Sequence, residues 1–274
     1  MTRVRVRAPA STANIGPGFD CAAAALDLWN ELEVSEGGGG ADLDHLGVRA
    51  FACLAPVDGL TFTFLDRIPR ERGLGSSAAV IALGLTAANA VADLGLDSEE
   101  LLAAGVELEG HADNLAAVLA GGVCLTWDAK IVRLGDTAPA VPVALVPDST
   151  VSTAAARAAL PESVPHADAT FTAGRATLLG AALASGSGEL FANALADRIH
   201  EPYRADGAPL LAAVREQPPS GALGSTLSGS GPTVIVWARP DTVEACANEL
   251  DARFPDVAVQ VLTVSPRGAH VDEH

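Results

Sequence analysis

The chain has 274 residues, 49% of them apolar and 19% charged, with 34 acidic residues against 17 basic ones for a formal net charge of −17. That length suits one large domain or two of ordinary size around a buried core, and a mean hydropathy of +0.29 excludes a mostly disordered chain. The acidic balance excludes a general nucleic-acid binder, which needs a basic face to displace counterions from phosphates, and no run of ~20 apolar residues offers a membrane span.

In chain order, residues 3–8 alternate as a strand. The basic opening from Met1 to Arg7 lacks the apolar stretch of a secretion signal, so a cytoplasmic location is expected. Strands follow at 29–34 and 60–65, with the glycine run 36–40 as a turn. A helix is expected over 76–92, acidic helical stretches over 98–109 and 113–120, and strands over 122–127 and 141–147. Residues 152–217 are alanine-rich and mainly helical. The closing third reads strand 222–228, strand 233–238, helix 241–254 and strand 257–264. Counting 141–147 as its first strand, the second half has the β-α-β-β-α-β order of ferredoxin-like domains. The expected architecture is α+β in two domains, 1–140 and 141–274, divided near Pro139 to Pro142.

Several chemistries are excluded by what is missing. Of the basic residues only Lys130 is a lysine, and it stands in neither a Walker A loop nor the strand context of a protein kinase. Cys21, Cys53, Cys124 and Cys246 form no C-x-x-C pair, so they match neither a zinc site nor a disulfide framework.

Four segments carry polar chemistry. Gly73-Leu74-Gly75-Ser76-Ser77-Ala78 leads into an apolar helix. Glycines let a backbone approach a ligand closely, and a helix start presents unpaired N–H groups and a positive dipole end to an anion such as phosphate. A plain glycine turn with Ser76 as N-cap is the simpler alternative. The same letters fit a G-x-G-x-x-A dinucleotide fingerprint, with Asp93 twenty residues past Gly73, but Arg67 to Arg72 separates them from any strand. A second glycine cluster runs from Gly224 to Pro232, either an anion nest or a hairpin connection. Glu107 to Asn114 places carboxylates that could hold Mg²⁺ beside a phosphate, or simply end a helix. Pro9 to Asp20 reads as a stiff loop offering Asn14 and Asp20 to a small polar substrate.

Together these segments resemble the GHMP family of small-molecule kinases, in the family's own order and across most of the chain. The opening segment and Glu109-Gly110-His111-Ala112-Asp113-Asn114 resemble most closely the members that phosphorylate homoserine, as do Ser152 to Arg157 and His200-Glu201-Pro202-Tyr203-Arg204. The resemblance implies the GHMP kinase fold, an N-terminal ribosomal-protein-like α/β domain that binds ATP and a C-terminal ferredoxin-like βαββαβ domain. It implies ATP and L-homoserine as substrates and Mg²⁺ as metal, with no nucleic acid or membrane as partner and a homodimer as the assembly left open. ATP would be held by Arg72, Gly73, Leu74, Gly75, Ser76, Ser77, Ala78 and Ala79. Mg²⁺ would sit on Glu109 with Ser76 or Ser77. Asn14, Asp20, His111 and Asn114 would contact the amino acid, and Arg157 and Arg204 would bind its carboxylate. Glu109, Asp113 and Thr153 would serve catalysis. Three departures stand out: a short stretch over 47–67, His45 where many members carry an asparagine near the base, and Ala112 in place of a common proline. A mevalonate, sugar or diphosphocytidyl kinase would share the ATP residues but not the two arginines. A NAD-dependent oxidoreductase and a non-catalytic binding module are the readings from other classes.

Overall fold

A computed structural model describes residues 3–37 and 41–272. Gly38 to Gly40 of the predicted glycine turn therefore lie outside the described residues. The chain opens with a long antiparallel pair, β1 (Arg3–Ala13) and β2 (Ala22–Glu36), in register from Arg3↔Ser35 to Ala13↔Ala23 with a bulge between Pro9 and Ala10. Both strands outrun the prediction. Pro9 to Ala13 belongs to β1, not to a loop, and only 14–21 form the turn. The proline is tolerated because the bulge relieves it of a ladder bond. Ala22 to Ala25 is strand despite its poor intrinsic β-propensity, because small side chains suit a stretch that is wholly buried.

Next come α1 (Leu46–Ala52), capped by the His45 ring accepting from the Gly47 N–H, and β3 (Leu60–Leu65). The helices α2 (Ser76–Val91), α3 (Ser98–Glu109) and α4 (Asp113–Ala120) follow, then the hairpin β4 (Val123–Trp127) and β5 (Lys130–Gly135). The second half runs β6 (Val141–Val146), α5 (Thr153–Ala158), α6 (His166–Ser185), α7 (Gly188–Ala194), a 3₁₀ turn Pro202–Gly207, α8 (Pro209–Glu216), β7 (Ala222–Leu227), β8 (Val234–Ala238), α9 (Val243–Arg253), β9 (Ala258–Val261) and β10 (His270–Val271).

The first sheet has the order β10-β1-β2-β4-β5, and the far edge of β2 is shared, its start pairing with β4 and its end with β3. The second sheet, β7-β8-β6-β9, is antiparallel throughout and has the strand order of a ferredoxin-like unit. The strands change sheets between β5 and β6. The tail from Val264, which bridges to Leu26, through β10, which pairs with β1, belongs to the first sheet. A unit of 141–274 therefore does not keep all of its residues in its own sheet.

The core explains how the halves are joined. Every residue of α2 from Ala78 to Ala88 is buried, with β1, β2 and the helices α1, α3 and α4 around it. In β6, Val143 and Leu145 face a cluster with α8 and α9, while Ala144 and Val146 face the larger core shared with the first half, the period-2 alternation of a strand covered on both faces.

Candidate active site

The start of α2 fixes the centre of the site. Gly75 is its N-cap, left-handed at φ 66°, and no side chain caps the first turn. Ser76 is thus the first helical residue and not the cap. A β-carbon on Gly75 would lie 1.9 Å from Ser11 Oγ, and one on Gly73 would lie 2.2 Å from the Ser228 carbonyl oxygen. No side chain fits at either position, so bare backbone faces a cleft of about 260 Å³. The unpaired N–H groups of the first turn and the positive dipole end there favour an anion over a cation.

The two glycine loops are tied to the opening strand. The Ser228 hydroxyl donates to the Gly73 carbonyl at 2.6 Å and lies 2.8 Å from the Thr12 hydroxyl, while the Gly229 N–H donates to the Ala13 carbonyl at 3.2 Å. Asn14, left-handed at φ 72°, donates from Nδ2 to the Gly229 carbonyl at 2.9 Å and accepts the Asp20 N–H at 3.1 Å. The Ser11 hydroxyl donates to Asn114 Oδ1 at 2.8 Å.

Carboxylates and arginines line the same cleft. Glu109, at the end of α3, accepts the Ser77 hydroxyl at 2.7 Å. Burial pushes its pKa up to about 7 against the lowering effect of that bond, with Asp113 adding a little repulsion. Asp113 is buried at the start of α4, where burial lifts its pKa to about 6 although its own Oδ1 accepts the Asn114 N–H at 2.7 Å. His111 is pushed below its ordinary value, first by burial and then by Arg157. Arg157 forms a two-bond fork with Asp20, at 2.6 and 3.1 Å. Arg204 is buried and donates to the carbonyls of Gly229 at 3.1 Å and Ala156 at 3.4 Å. Both guanidinium groups lie over the Phe19 ring.

Of the residues singled out from the sequence, Asn14, Asp20, Gly73, Gly75, Ser76, Ser77, Glu109, His111, Asp113, Asn114, Thr153, Arg157 and Arg204 come together on this cleft. Four do not line it. Leu74, Ala78 and Ala79 are core residues, so they shape the loop and helix from behind. Arg72 turns away and donates to the carbonyls of Pro147 and Asp148 at 2.8 Å, stapling the loop to the end of β6. The hydroxyl on Glu109 is that of Ser77, not Ser76. Glu71, Ser152 and Ser230 also line the cleft. Ser152 and Ser230 lie inside segments singled out from the sequence without a role of their own, whereas Glu71, just before the first glycine loop, was passed over. Glu71 has a left-handed φ of 55° that its letter does not betray.

Comparison with known proteins now decides the family. Residues 44–122 match the GHMP kinases N terminal domain and residues 179–256 the GHMP kinases C terminal domain. The chain is 38% identical to a homoserine kinase of Synechococcus, covering 99% of this chain and 98% of the relative. It is 40% identical to a homoserine kinase of Streptomyces coelicolor, covering 98% and 94%. The chain belongs to the GHMP kinase family. The structure of a homoserine kinase from Cytophaga hutchinsonii superposes on this GHMP kinase with a TM-score of 0.86 at 26% identity, over 99% of this chain and 98% of the other. A mevalonate kinase at 15% identity, with a TM-score of 0.70, shares the fold. The dinucleotide reading falls away, since β3 ends at Leu65 and no strand runs into the Gly73 loop.

Proposed function

We propose that this kinase transfers the terminal phosphoryl group of ATP to the side-chain hydroxyl of L-homoserine, giving O-phospho-L-homoserine on the way to threonine. The observation that carries the reading is the convergence of Asp20, Arg157 and Arg204 on the same cleft as the uncapped start of α2. The names of the relatives point the same way. An amino acid brings one ammonium and one carboxylate, and the cleft offers a carboxylate and two arginines to meet them. Arginine suits a carboxylate because its fork donates two parallel bonds. In the chain by itself Arg157 is paired with Asp20. A bound zwitterion would exchange that one internal pair for two intermolecular ones.

Phosphoryl transfer needs positioning and charge stabilisation more than covalent help. The backbone of Gly73 to Ala79 would receive the phosphates, with Thr153 at the start of α5 facing the terminal one. The donor set fits Mg²⁺. Glu109 is a desolvated carboxylate with no cationic group among the causes of its shift, and the Ser77 hydroxyl is already on it. Among the described residues no group of three or more His, Cys, Asp or Glu is arranged to hold a metal by itself. Mg²⁺ is content with one or two carboxylates and phosphate oxygens. Once bound it would neutralise phosphate charge, the task that a lysine performs elsewhere. Asp113 is the candidate acceptor for the hydroxyl proton, and His111 and Asn114 would orient the substrate. We place the reaction in the cytoplasm with its two water-soluble substrates. No helix among the described residues is long and apolar enough to cross a membrane.

The test is ATP consumption in a coupled assay across L-homoserine, L-threonine, L-serine, mevalonate and galactose. Turnover should be greatest with L-homoserine. Turnover with mevalonate or galactose and none with homoserine would overturn the reading.

A further inference from the structure

Arg204 offers a substrate only part of its guanidinium. Its Nε–H donates to the Ala156 carbonyl, and Nη1 has two acceptors, the Gly229 carbonyl at 3.1 Å and Nδ1 of His200 at 3.3 Å. Three of five N–H groups are thereby engaged, and among the described residues Nη2 has no partner. A guanidinium is planar, so fixing Nε and Nη1 also fixes where Nη2 points.

His200 is built to be the acceptor in this arrangement. It is fully buried, and its Nε2 lies 2.7 Å from the Gly16 carbonyl. A carbonyl only accepts, so Nε2 carries the proton, with Asp197 Oδ2 3.7 Å away on the same side; a guanidinium only donates, so the nitrogen facing Arg204 is a bare Nδ1. Asp197 fixes the backbone beneath, accepting the N–H groups of His200 at 2.8 Å and Glu201 at 2.9 Å. The imidazole stacks on Phe19 with centroids 4.9 Å apart and planes 18° from parallel. Phe19 in turn lies beneath both arginines and next to Asp20. One ring therefore joins the opening turn, through Gly16 and Phe19, to an arginine contributed from the other half of the chain.

We propose that His200 is a positioning residue for the amino-acid carboxylate: as a neutral Nε2–H tautomer it holds Arg204 in the orientation that leaves Nη2 free for the substrate. The inference rests on the assignment of Arg204 under Proposed function, and the experiment separates the two. Steady-state kinetics of the full chain are measured with ATP and L-homoserine varied separately, for wild type, Arg204→Ala, His200→Gln, His200→Asn and the Arg204→Ala/His200→Gln double variant. Asn places an acceptor oxygen near the Nδ1 position. Gln reaches the Nε2 position and can donate to Gly16 but leaves Arg204 without its acceptor. Arg204→Ala should raise the homoserine KM at least ~10-fold, the loss of a charge-assisted bond. His200→Gln should raise it about 5-fold with the ATP KM within about 2-fold, and His200→Asn should stay within about 2-fold of wild type. In the Arg204→Ala background His200→Gln should add nothing, since a residue that acts through another is silent once that other is gone.

An unchanged homoserine KM in Arg204→Ala would overturn the carboxylate assignment itself. A raised KM there with none in His200→Gln would overturn only the role of His200, as would equal effects of Gln and Asn or a parallel rise in the ATP KM. The wild-type protein supplies a measurement that needs no variant to fold. The ¹⁵N spectrum of the His200 imidazole should show a protonated Nε2 and a bare Nδ1 at neutral pH, and the reverse tautomer would contradict the proposal.

Discussion

α3 begins with the devices that stabilise a helix start. Asp97 accepts the N–H groups of Glu99 and Glu100, Glu100 reaches back to the Asp97 N–H to complete a capping box, and two glutamates complement the dipole. α2, buried along most of its length, begins with none: a left-handed glycine, no side-chain cap and no acidic residue in the first turn. A cap on α2 would satisfy the same N–H groups that the cleft presents. The contrast separates a helix start closed by side chains from one left bare at the cleft. The far end of α3 reaches the same cleft, where Glu109 meets Ser77.

The largest effect that tests this contrast comes from Glu109→Gln, which keeps an oxygen for Ser77 and removes the charge. Turnover should fall by about 100-fold or more, as when an electrostatic group of the transition state is lost, with homoserine binding by calorimetry retained. A pH signature accompanies it. The pKa of Glu109 is about 7 in the fold against an ordinary 4.5, so the raised value favours the fold below the unfolded value, and that contribution is lost as pH rises towards 7. The melting temperature of Glu109→Gln should therefore gain on wild type between about pH 4.5 and 7, then hold a constant lead. A lead that shrinks across that window contradicts the assignment. Binding of Mg²⁺ and nucleotide to wild type near pH 6 should release protons from Glu109 as well as from the nucleotide's own phosphate, measured as a buffer-dependent enthalpy, and the release should be smaller in the variant by the share of Glu109.

The smallest effect belongs to the other helix start. Asp97→Ala should cost about 1 kcal/mol of stability, the usual loss of an N-cap, and leave kcat and both KM values unchanged. A drop in kcat there would erase the distinction between the two helix starts.

How much of this was legible in the sequence follows from where the determinants lie. Local signals gave local elements: the acidic helical stretches expected over 98–109 and 113–120 are α3 and α4 at their observed ends, and β3 was readable from its Thr-Phe alternation. Elements made by tertiary context were hidden. Ala22 to Ala25 is strand where it is buried and paired with β1 and β4, and β10 exists because its two residues find β1. α1 and the exposed hairpin strand β5 were unread, since neither carries a strong period. In the site, the glycines announced themselves by chemistry that only glycine performs. The pairings did not, because Arg157 with Asp20 and His200 with Gly16 join positions far apart in the chain. Arg72 shows the opposite error: a charge beside a phosphate loop looks like a ligand until its carbonyl partners are seen.

The proposed phosphate site is the open start of α2, and a crystal structure with a non-hydrolysable ATP analogue and Mg²⁺ is its sharpest test. Phosphate oxygens should lie within hydrogen-bond distance of the Ser76 and Ser77 amides, with the metal beside Glu109. A triphosphate bound elsewhere in the molecule, with those amides left to water, would contradict it.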